Sequence, residues 1–244
     1  NWLPFRIKLD LFVTGVAIPI WSISWGEISY KYPHVDDVKK CLEYLILASN
    51  PVFILGNGAH DINREEMTNI IESFNCPVIN EMSARGTIPD SHSLSYGKEL
   101  DFTLDYGELP AISNHTKIIQ IDPDEMILGR SKRANLSILS SVGIFVKELN
   151  LSINGKSNLR KQPGILSVFD QNKKNHIKYL DSLTGIGNNI HAMDVHREVS
   201  KFLEKNNCLI FEGSDFSFYG ASYYPSERKN RWFVNGVLGM IWNC

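Results

Sequence analysis

Short apolar, β-branched runs alternate with stretches of helical apolar spacing along the first half of the chain. The runs at residues 52–55, 77–79 and 117–121 are typical of buried parallel strands, which are apolar on both faces. Between the first two runs, residues 64–74 place four apolar side chains on one helical face: Met67, Ile70, Ile71 and Phe74. Strand, helix and strand in this order predict a right-handed crossover that makes the two strands parallel.

Further helices are predicted on both sides of this β-α-β segment. Residues 36–49 carry apolar side chains at helical spacing, and residues 138–149 read as a strand followed by a short amphipathic helix. From residue 152 to residue 175 the composition shifts to Asn, Lys, Ser, Gly and Gln, which is typical of a linker.

A second α/β unit is predicted after the linker. A helix at 191–206, with Val195, Val199 and Phe202 inward, leads into a strand at 208–211. The chain then stops at residue 244, and we expect no further strand or helix to close a core. The expected fold class is therefore α/β, a Rossmann-like parallel sheet flanked by helices and followed by an incomplete second α/β unit. The expected divisions are a connecting tail at 1–33, a first domain at 34–151, a linker at 152–190 and the second unit at 191–244.

Composition narrows the range of partners. The chain has 244 residues, is 43% hydrophobic and has a net charge of -2, so it can bury one core and part of another. Such a weak charge gives no electrostatic reason to expect nucleic acid or a membrane as a partner. Four widely spaced cysteines without a C-x-x-C pair indicate reduced thiols in a cytoplasmic location rather than disulfides or a metal site.

The N-terminal residues 11–25 are apolar and follow Arg6 and Lys8, as in a signal peptide. However, Asp10 interrupts the flank, Pro19 lies inside the run, and the run is shorter than the roughly 20 residues that span a bilayer. We therefore interpret this segment as a chain that begins inside a larger protein, with a signal or membrane anchor as the alternative.

The turn after the first strand is the first candidate site. Gly56 and Gly58, followed by Ala59, let backbone approach a phosphate or an adenosine closely. Asp61 stands where the third glycine of G-x-G-x-x-G would be, so a conventional dinucleotide fingerprint is not present. The alternative is a plain strand-to-helix turn that needs glycine for its conformation alone.

Two further residues fit the same nucleotide hypothesis. Asp122 ends the strand at 117–121 and is placed to accept hydrogen bonds from a ribose, or else to cap the turn that follows. Arg85 is a candidate partner for a phosphate or a ring edge, or else a surface arginine in a turn.

In the second unit, residues 212–215 end a strand, so their amides and the Ser214 hydroxyl are candidates to hold a diphosphate. The alternative is a simple turn between strand and helix. His191 and His196 are interpreted as surface or capping residues, and no catalytic triad or metal-ligand spacing is found in the sequence. The residues alone thus indicate a nucleotide- or diphosphate-binding α/β protein.

A family resemblance sharpens this hypothesis. The strings P-V-F-I-L-G-N-G-A-H, C-P-V-I-N-E-M-S-A-R-G-T-I-P-D-S-H-S-L-S-Y-G and K-I-I-Q-I-D-P-D-E-M-I-L-G-R resemble the central domain of thiamine-diphosphate-dependent enzymes of the acetolactate synthase type. That group includes acetolactate synthases, 2-hydroxyacyl-CoA lyases and oxalyl-CoA decarboxylases. The resemblance runs from about residue 35 to residue 149, and the string G-T-I-P-D-S-H at 86–92 is fairly specific.

The resemblance extends to residues 191–241, which are similar to the start of the family's diphosphate-binding domain. It implies that Gly213, Ser214 and Asp215 touch the diphosphate of thiamine diphosphate, that the Gly239 carbonyl meets its aminopyrimidine, and that Ile241 bends the cofactor. In the central domain we expect an adenine-nucleotide site that binds FAD, ADP or CoA. Its candidate residues are Gly56, Gly58, Ala59, Arg85 and Asp122.

Departures from the family pattern limit the expected activity. The sequence shows neither the N-terminal domain with the glutamate that ionises the cofactor nor the G-D-G…N segment that holds Mg²⁺. At 97–99 it also passes directly into L-D-F, where the family carries another helix and strand. We expect a fragment of an enzyme that decarboxylates, cleaves or ligates 2-oxo acid or 2-hydroxyacyl substrates, inactive alone and homo-oligomeric when intact. The alternatives are a non-catalytic adenine-nucleotide or CoA-binding module and a structural relic.

Overall fold

Parallel strand pairs and helices alternate along the chain. The computed structural model describes residues 30–96, 113, 115–129, 134–156, 159–160, 163–185, 190–204, 207–211 and 215–234. Six helices are described: α1 (Val35–Leu47), α2 (Arg64–Phe74), α3 (Val142–Ile153), α4 (Ile165–Ser182), α5 (Ala192–Ser200) and α6 (Asp215–Tyr223). Six strands are described: β1 (Phe53–Leu55), β2 (Val78–Asn80), β3 (Ile119–Asp122), β4 (Leu136–Leu139), β5 (Leu209–Phe211) and β6 (Trp232–Val234).

The predicted β-α-β crossover is confirmed. β1 and β2 are parallel, with Phe53 opposite Val78 and Leu55 opposite Asn80. Helix α2 begins and ends at the predicted residues because both of its ends are capped. Asn63 Oδ1 accepts hydrogen bonds from the first-turn amides, and Asn75 ends the helix in the left-handed conformation at φ 52°.

A second parallel pair lies beside the first. Strand β3 pairs with β4 in parallel, so that Asp122 lies opposite Leu139. Helix α3 follows β4, in agreement with the predicted strand and amphipathic helix. Among the described residues, the three strand pairs are separate two-stranded sheets. The parallel α/β class is confirmed, in the form of strand pairs covered by helices.

These elements up to residue 156, called here the first unit, share one hydrophobic core. Helices α1, α2 and α3 each turn an apolar face toward the strands, as their periodicity predicts. The core is formed by Val38, Cys41, Leu42, Leu45, Leu55, Ala59, Ile62, Met67, Ile70, Ile71, Phe74, Cys76, Val78, Ala84, Ile88, Leu94, Ile138, Phe145, Val146, Leu149 and Ile153.

The segment predicted as a linker contains an 18-residue helix, α4. This helix packs on the first unit, since Phe169 stacks on Tyr96 with ring centroids 5.1 Å apart. The Tyr96 hydroxyl donates to Asp170, and Lys173 Nζ donates to the Ser95 carbonyl. The polar composition that indicated a linker is the solvent-exposed surface of this helix.

Residues 190–234, called here the second unit, contain α5 followed by a β5-α6-β6 crossover with parallel strands. The sequence did not predict α6 and β6, and both contribute to a small core, in contrast to the expectation that no further strand or helix would close one. Their core is small and consists of Phe211, Ala221, Tyr224 and Trp232, with Leu203, Leu209 and Tyr223 packed against it.

The predicted inward face of α5 is also wrong. Val195 and Val199 are largely exposed and Phe202 is 81% exposed, whereas Met193 and His196 are buried. The reason is that α5 packs on α6, where the His196 ring centroid lies 4.2 Å from that of Phe216 and His196 Nε2 donates to the Phe216 carbonyl. His191 is the predicted capping residue, and it forms a capping box with Asp194.

None of the described helices is long and apolar enough to cross a membrane. Of the three cysteines among the described residues, Cys41 and Cys76 are buried and Cys208 is exposed, and all three are free thiols.

Candidate functional site

The carboxyl ends of the strands in the first unit meet at the start of α3. Because β3 and β4 are parallel, Asp122 lies at the same edge as Leu139, and α3 begins three residues after Leu139. The turn after β1 reaches this point as well, since the Gly143 amide donates to Asp61 Oδ1 at 3.0 Å. The structure thus brings the two predicted nucleotide segments to one edge of the fold.

The glycines of the turn after β1 are tightly packed by protein atoms. A Cβ on Gly58 would lie 2.8 Å from Val142 Cγ2, and one on Gly56 would lie 2.9 Å from Glu81 Oε2. Ala59 is buried beneath them. Packing against Val142 of α3 is thus a sufficient reason for glycine at position 58, as in the plain-turn interpretation, whereas Gly56 faces only the end of the Glu81 side chain. A nucleotide at this turn stays a prediction.

Asp122 caps the turn that follows β3. Its Oδ1 accepts the Asp124 amide at 2.8 Å, and its carbonyl accepts the Ser140 amide at 3.1 Å. Gln120 holds the rest of this loop, because its side chain donates to the Ile127 carbonyl and accepts from the Gly129 amide. The capping interpretation of Asp122 is confirmed, and a ribose contact stays a prediction.

Arg85 is only 4% exposed, so the alternative of a surface arginine is wrong. Its guanidinium crosses from the first unit to the second, where it donates to the Ala221 carbonyl at 2.6 Å and to the Tyr224 carbonyl at 2.9 Å. It also pairs with Asp90 Oδ2 at 2.5 Å and lies 4.1 Å over the Trp232 ring. Arg85 therefore contacts the end of α6 and a strand of the second unit, and its Nη1 and Nη2 atoms donate to protein acceptors.

Asp90 is the residue that sequence reasoning missed. Its Oδ2 also accepts the Ser226 amide at 2.8 Å, and its own amide donates to the Ser226 carbonyl at 3.0 Å. These bonds fix the loop between α6 and β6 on the first unit. The available signal was its position in G-T-I-P-D-S-H, five residues after Arg85 in a loop bounded by glycine and proline.

Gly86 allows the two units to approach closely. It has φ +80°, and a Cβ on it would lie 2.3 Å from the Arg228 carbonyl oxygen. Arg64, at the start of α2, donates to the Thr87 and Glu227 carbonyls at 3.1 Å each. Only glycine suits both the left-handed backbone and the contact with Arg228.

Lys229 completes this inter-unit interface, formed by residues 60–64 and 85–91 of the first unit and 221–232 of the second. Its ammonium donates to the Ile62 carbonyl. Burial, and then the nearby Arg64, lower the pKa of Lys229, while Asp61 acts in the opposite direction. The second unit thus reaches the end of the turn that follows β1.

Four of the residues predicted to bind thiamine diphosphate, Gly213, Ser214, Gly239 and Ile241, lie outside the described residues. Asp215 is described and is the exposed first residue of α6, which begins four residues after the end of β5. Within the described ranges, no group of three or more His, Cys, Asp or Glu side chains is arranged to hold a metal ion.

Comparison with known proteins relates part of this chain to one enzyme family. Residues 38–103 match the family described as "Thiamine pyrophosphate enzyme, central domain". This part of the chain is similar to the central domain of thiamine pyrophosphate enzymes. The matched residues include β1, α2, β2 and the loop that carries Arg85, Gly86 and Asp90.

The curated relatives of this chain are identical to it at about a fifth of the aligned residues. The acetolactate synthase large subunit of Buchnera aphidicola subsp. Acyrthosiphon pisum is 21% identical over 85% of this chain and 40% of the relative. Human 2-hydroxyacyl-CoA lyase 2 is 22% identical over 84% of this chain and 35% of the relative. The chain therefore spans about two fifths of the length of the relatives it matches.

The same fold occurs in a solved structure described as a thiamin diphosphate-dependent enzyme isolated from Mycobacterium smegmatis. The two share 14% sequence identity and a TM-score of 0.61, over 86% of this chain and 43% of the other. Because the likeness covers most of the chain, it includes residues of both units. The resemblance to thiamine-diphosphate-dependent enzymes of the acetolactate synthase type is confirmed.

Proposed function

We propose that the natural protein containing this sequence is a thiamine-diphosphate- and Mg²⁺-dependent enzyme that decarboxylates, cleaves or ligates 2-oxo acid or 2-hydroxyacyl substrates. The observation that supports this most strongly is the central-domain match, which includes the loop that fixes the second unit. When bound, the cofactor supplies an electron sink for an acyl carbanion. The part of this chain is to bind and orient it.

The start of α6 fits the diphosphate group of this cofactor. A helix that begins shortly after the carboxyl end of a parallel strand presents free amide N–H groups, and its dipole favours an anion. We propose that Gly213 and Ser214, together with the first turn at Asp215, hold the diphosphate. Gly239, through its carbonyl, and Ile241, through its bulk, are proposed to orient the aminopyrimidine and the bend of the cofactor.

Carbon dioxide release from pyruvate tests the proposed activity. The natural protein with thiamine diphosphate and Mg²⁺ is expected to release it above a control without protein, and omission of the cofactor should abolish the release. The 244-residue chain assayed alone is expected to remain at the level of that control. The proposal would be contradicted if the natural protein released neither carbon dioxide from pyruvate or oxalyl-CoA nor an aldehyde from a 2-hydroxyacyl-CoA.

A second candidate is an adenine-nucleotide or CoA site in the first unit, with FAD, ADP and CoA as ligands. It is favoured by the meeting of Gly58, Asp122 and the start of α3 at one edge. Saturable ADP or FAD binding that Asp122→Asn weakens, without any binding of thiamine diphosphate, would make this module the main function. Binding of thiamine diphosphate alone would exclude it.

Two properties of the intact protein complete the proposal. We infer a homo-oligomer, by analogy with the acetolactate synthase type of enzyme. We also infer a cytoplasmic location, which two buried free thiols and the lack of a membrane-spanning helix among the described residues support. Light scattering of the purified protein and cell fractionation test the two inferences separately.

A further inference from the structure

Helix α6 packs on α5 and β5 through small buried residues and ring contacts. Its buried residues are all small, namely Ser217, Gly220 and Ala221. A Cβ on Gly220 would lie 2.8 Å from the His196 ring and 2.7 Å from the Phe211 ring, so glycine permits this close packing. Small side chains bury little apolar area, so contacts at the carboxyl end of α6 add to the ring contacts with α5 in fixing its direction.

The first unit supplies such a contact at the carboxyl end of α6. The last carbonyl groups of a helix lack partners within the helix and carry a partial negative charge. Arg85 donates to two such carbonyls, those of Ala221 and Tyr224, from a guanidinium that is itself fixed by Asp90 and Trp232. One planar, fully charged group therefore joins four acceptor or packing partners on both sides of the interface.

We propose that Arg85 is a positioning residue, which fixes the carboxyl end of α6 from the first unit and thereby sets the place of the α6 N-terminus. This inference rests on the proposed function, because the diphosphate is expected at that N-terminus. Arg85 touches neither substrate nor cofactor in this account. It acts through a rigid helix of nine residues.

The Arg85 residue type is specific to this role. A lysine would keep the charge but lacks the planar fork that reaches Asp90, Ala221 and Tyr224 together while lying on Trp232. Replacing Arg85 alone would leave the Asp90 carboxylate buried and unpaired, so the variant that isolates positioning is the double change Arg85→Met with Asp90→Asn. Methionine retains packing on Trp232, and asparagine retains an acceptor for the Ser226 amide.

Amide hydrogen exchange of the full 244-residue chain tests the mechanical part. In the double variant, exchange of α6 amides should rise at least about tenfold, because two charge-assisted hydrogen bonds are lost, while α2 amides exchange as in the wild type. Arg64→Met is the matched control, since Arg64 also crosses the interface but reaches Glu227 rather than α6. It should leave α6 exchange within about twofold of the wild type. If the double variant does not fold, Arg85→Lys should show the same direction of change.

Titration of the natural protein with thiamine diphosphate and Mg²⁺ tests the positioning part. The concentration for half-saturation should rise about tenfold in the double variant and stay near wild type in Arg64→Met. If α6 amides of the double variant exchange as in the wild type, the proposal is overturned. If they exchange faster but the half-saturation concentration is unchanged, Arg85 stabilises α6 without positioning the cofactor site, and the positioning role is overturned. A wild-type protein that does not bind thiamine diphosphate contradicts the proposed function instead, and the exchange data then decide the Arg85–α6 coupling alone.

Discussion

The hydrophobic cluster of the first unit contains 21 buried residues, whereas that of the second unit contains four, counted over the residues that the structure describes. Helices α1, α2 and α3 each contribute several large side chains to the first core, while α6 contributes mainly small ones. The second unit also leaves Ile210 and Phe233, neighbours across β5 and β6, largely exposed.

Because the core of the second unit is small, polar contacts with the first unit help to hold it in place. Arg85, Asp90 and Arg64 of the first unit fix α6 and the loop before β6 through buried or half-buried hydrogen bonds. Apolar burial stabilises without direction, whereas hydrogen bonds and ion pairs specify geometry. We therefore expect the first unit to supply most of the stability and the interface contacts to fix the position of the second unit on the first.

Phe74→Ala should produce the largest effect and should act on both units. Phe74 is fully buried at the end of α2, and truncating a buried phenylalanine costs about 3–5 kcal/mol through lost burial and cavity formation. Urea unfolding followed by exchange in α2 and α6 should show both units released together. Phe211→Ala is the matched control in the second core and should leave α2 unaffected; loss of α2 protection in that variant would contradict the hierarchy.

Asp90→Ala should come next and should separate the two units. Its side chain and that of Arg85 are 5% and 1% exposed, and removing one partner of such a buried pair costs about 3–5 kcal/mol. The second unit should melt at lower temperature while the first keeps its own transition. Lys201→Ala breaks an exposed pair with Glu198 and should change stability by less than about 1 kcal/mol. Equal effects of the two substitutions would argue against a structural role for the interface.

Gly86→Ala should have a smaller effect, at the point where the two units approach most closely. A side chain there is strained at φ +80° and collides with the Arg228 carbonyl, for a cost of about 1–3 kcal/mol. Gly129→Ala is a matched control, because Gly129 also has positive φ but nothing lies within 4 Å of its would-be Cβ. The melting temperature of Gly86→Ala should fall by more than that of Gly129→Ala, because the first variant adds crowding to backbone strain and the second adds strain alone. Equal decreases in melting temperature would contradict the crowding at Gly86.

The smallest effect concerns the buried thiols of the first unit. Burial raises the pKa of Cys41 and Cys76 from 9.0 to about 12, so both stay protonated in the folded chain at moderately alkaline pH. The contribution of these neutral thiols to the free energy of unfolding is fully present below pH 9.0 and is lost as the pH rises through about 12. Peptide mapping after alkylation at pH 8 should find exposed Cys208 modified well before the other two. Early labelling of Cys76 would indicate that the first core opens.

Apolar periodicity predicted the first unit well. The segment from β1 to β2 agrees with the sequence within about one residue at each boundary, because Asn63 and Asn75 mark the ends of α2 chemically. The same reasoning failed for α5, whose inward face is set by α6 and not by a strand.

The role of Arg85 was beyond sequence reasoning for a physical reason. Its partners Ala221 and Tyr224 are 136 and 139 residues away in the chain, so no local pattern relates them. In the sequence, an arginine that is buried against protein cannot be distinguished from an arginine that binds phosphate in a glycine-containing loop. The residues predicted to bind thiamine diphosphate at 213, 214, 239 and 241 lie outside the described residues and stay predictions.

Amide exchange of the natural protein, with thiamine diphosphate and Mg²⁺ or with ADP, shows directly which ligand binds and where. We predict that thiamine diphosphate slows the exchange of residues 209–223, around the end of β5 and the start of α6, and leaves the exchange of residues 56–61 unchanged. Protection of residues 56–61 and 119–129 by ADP, with no protection anywhere by thiamine diphosphate, would contradict it. That result would identify the chain as a nucleotide-binding module instead.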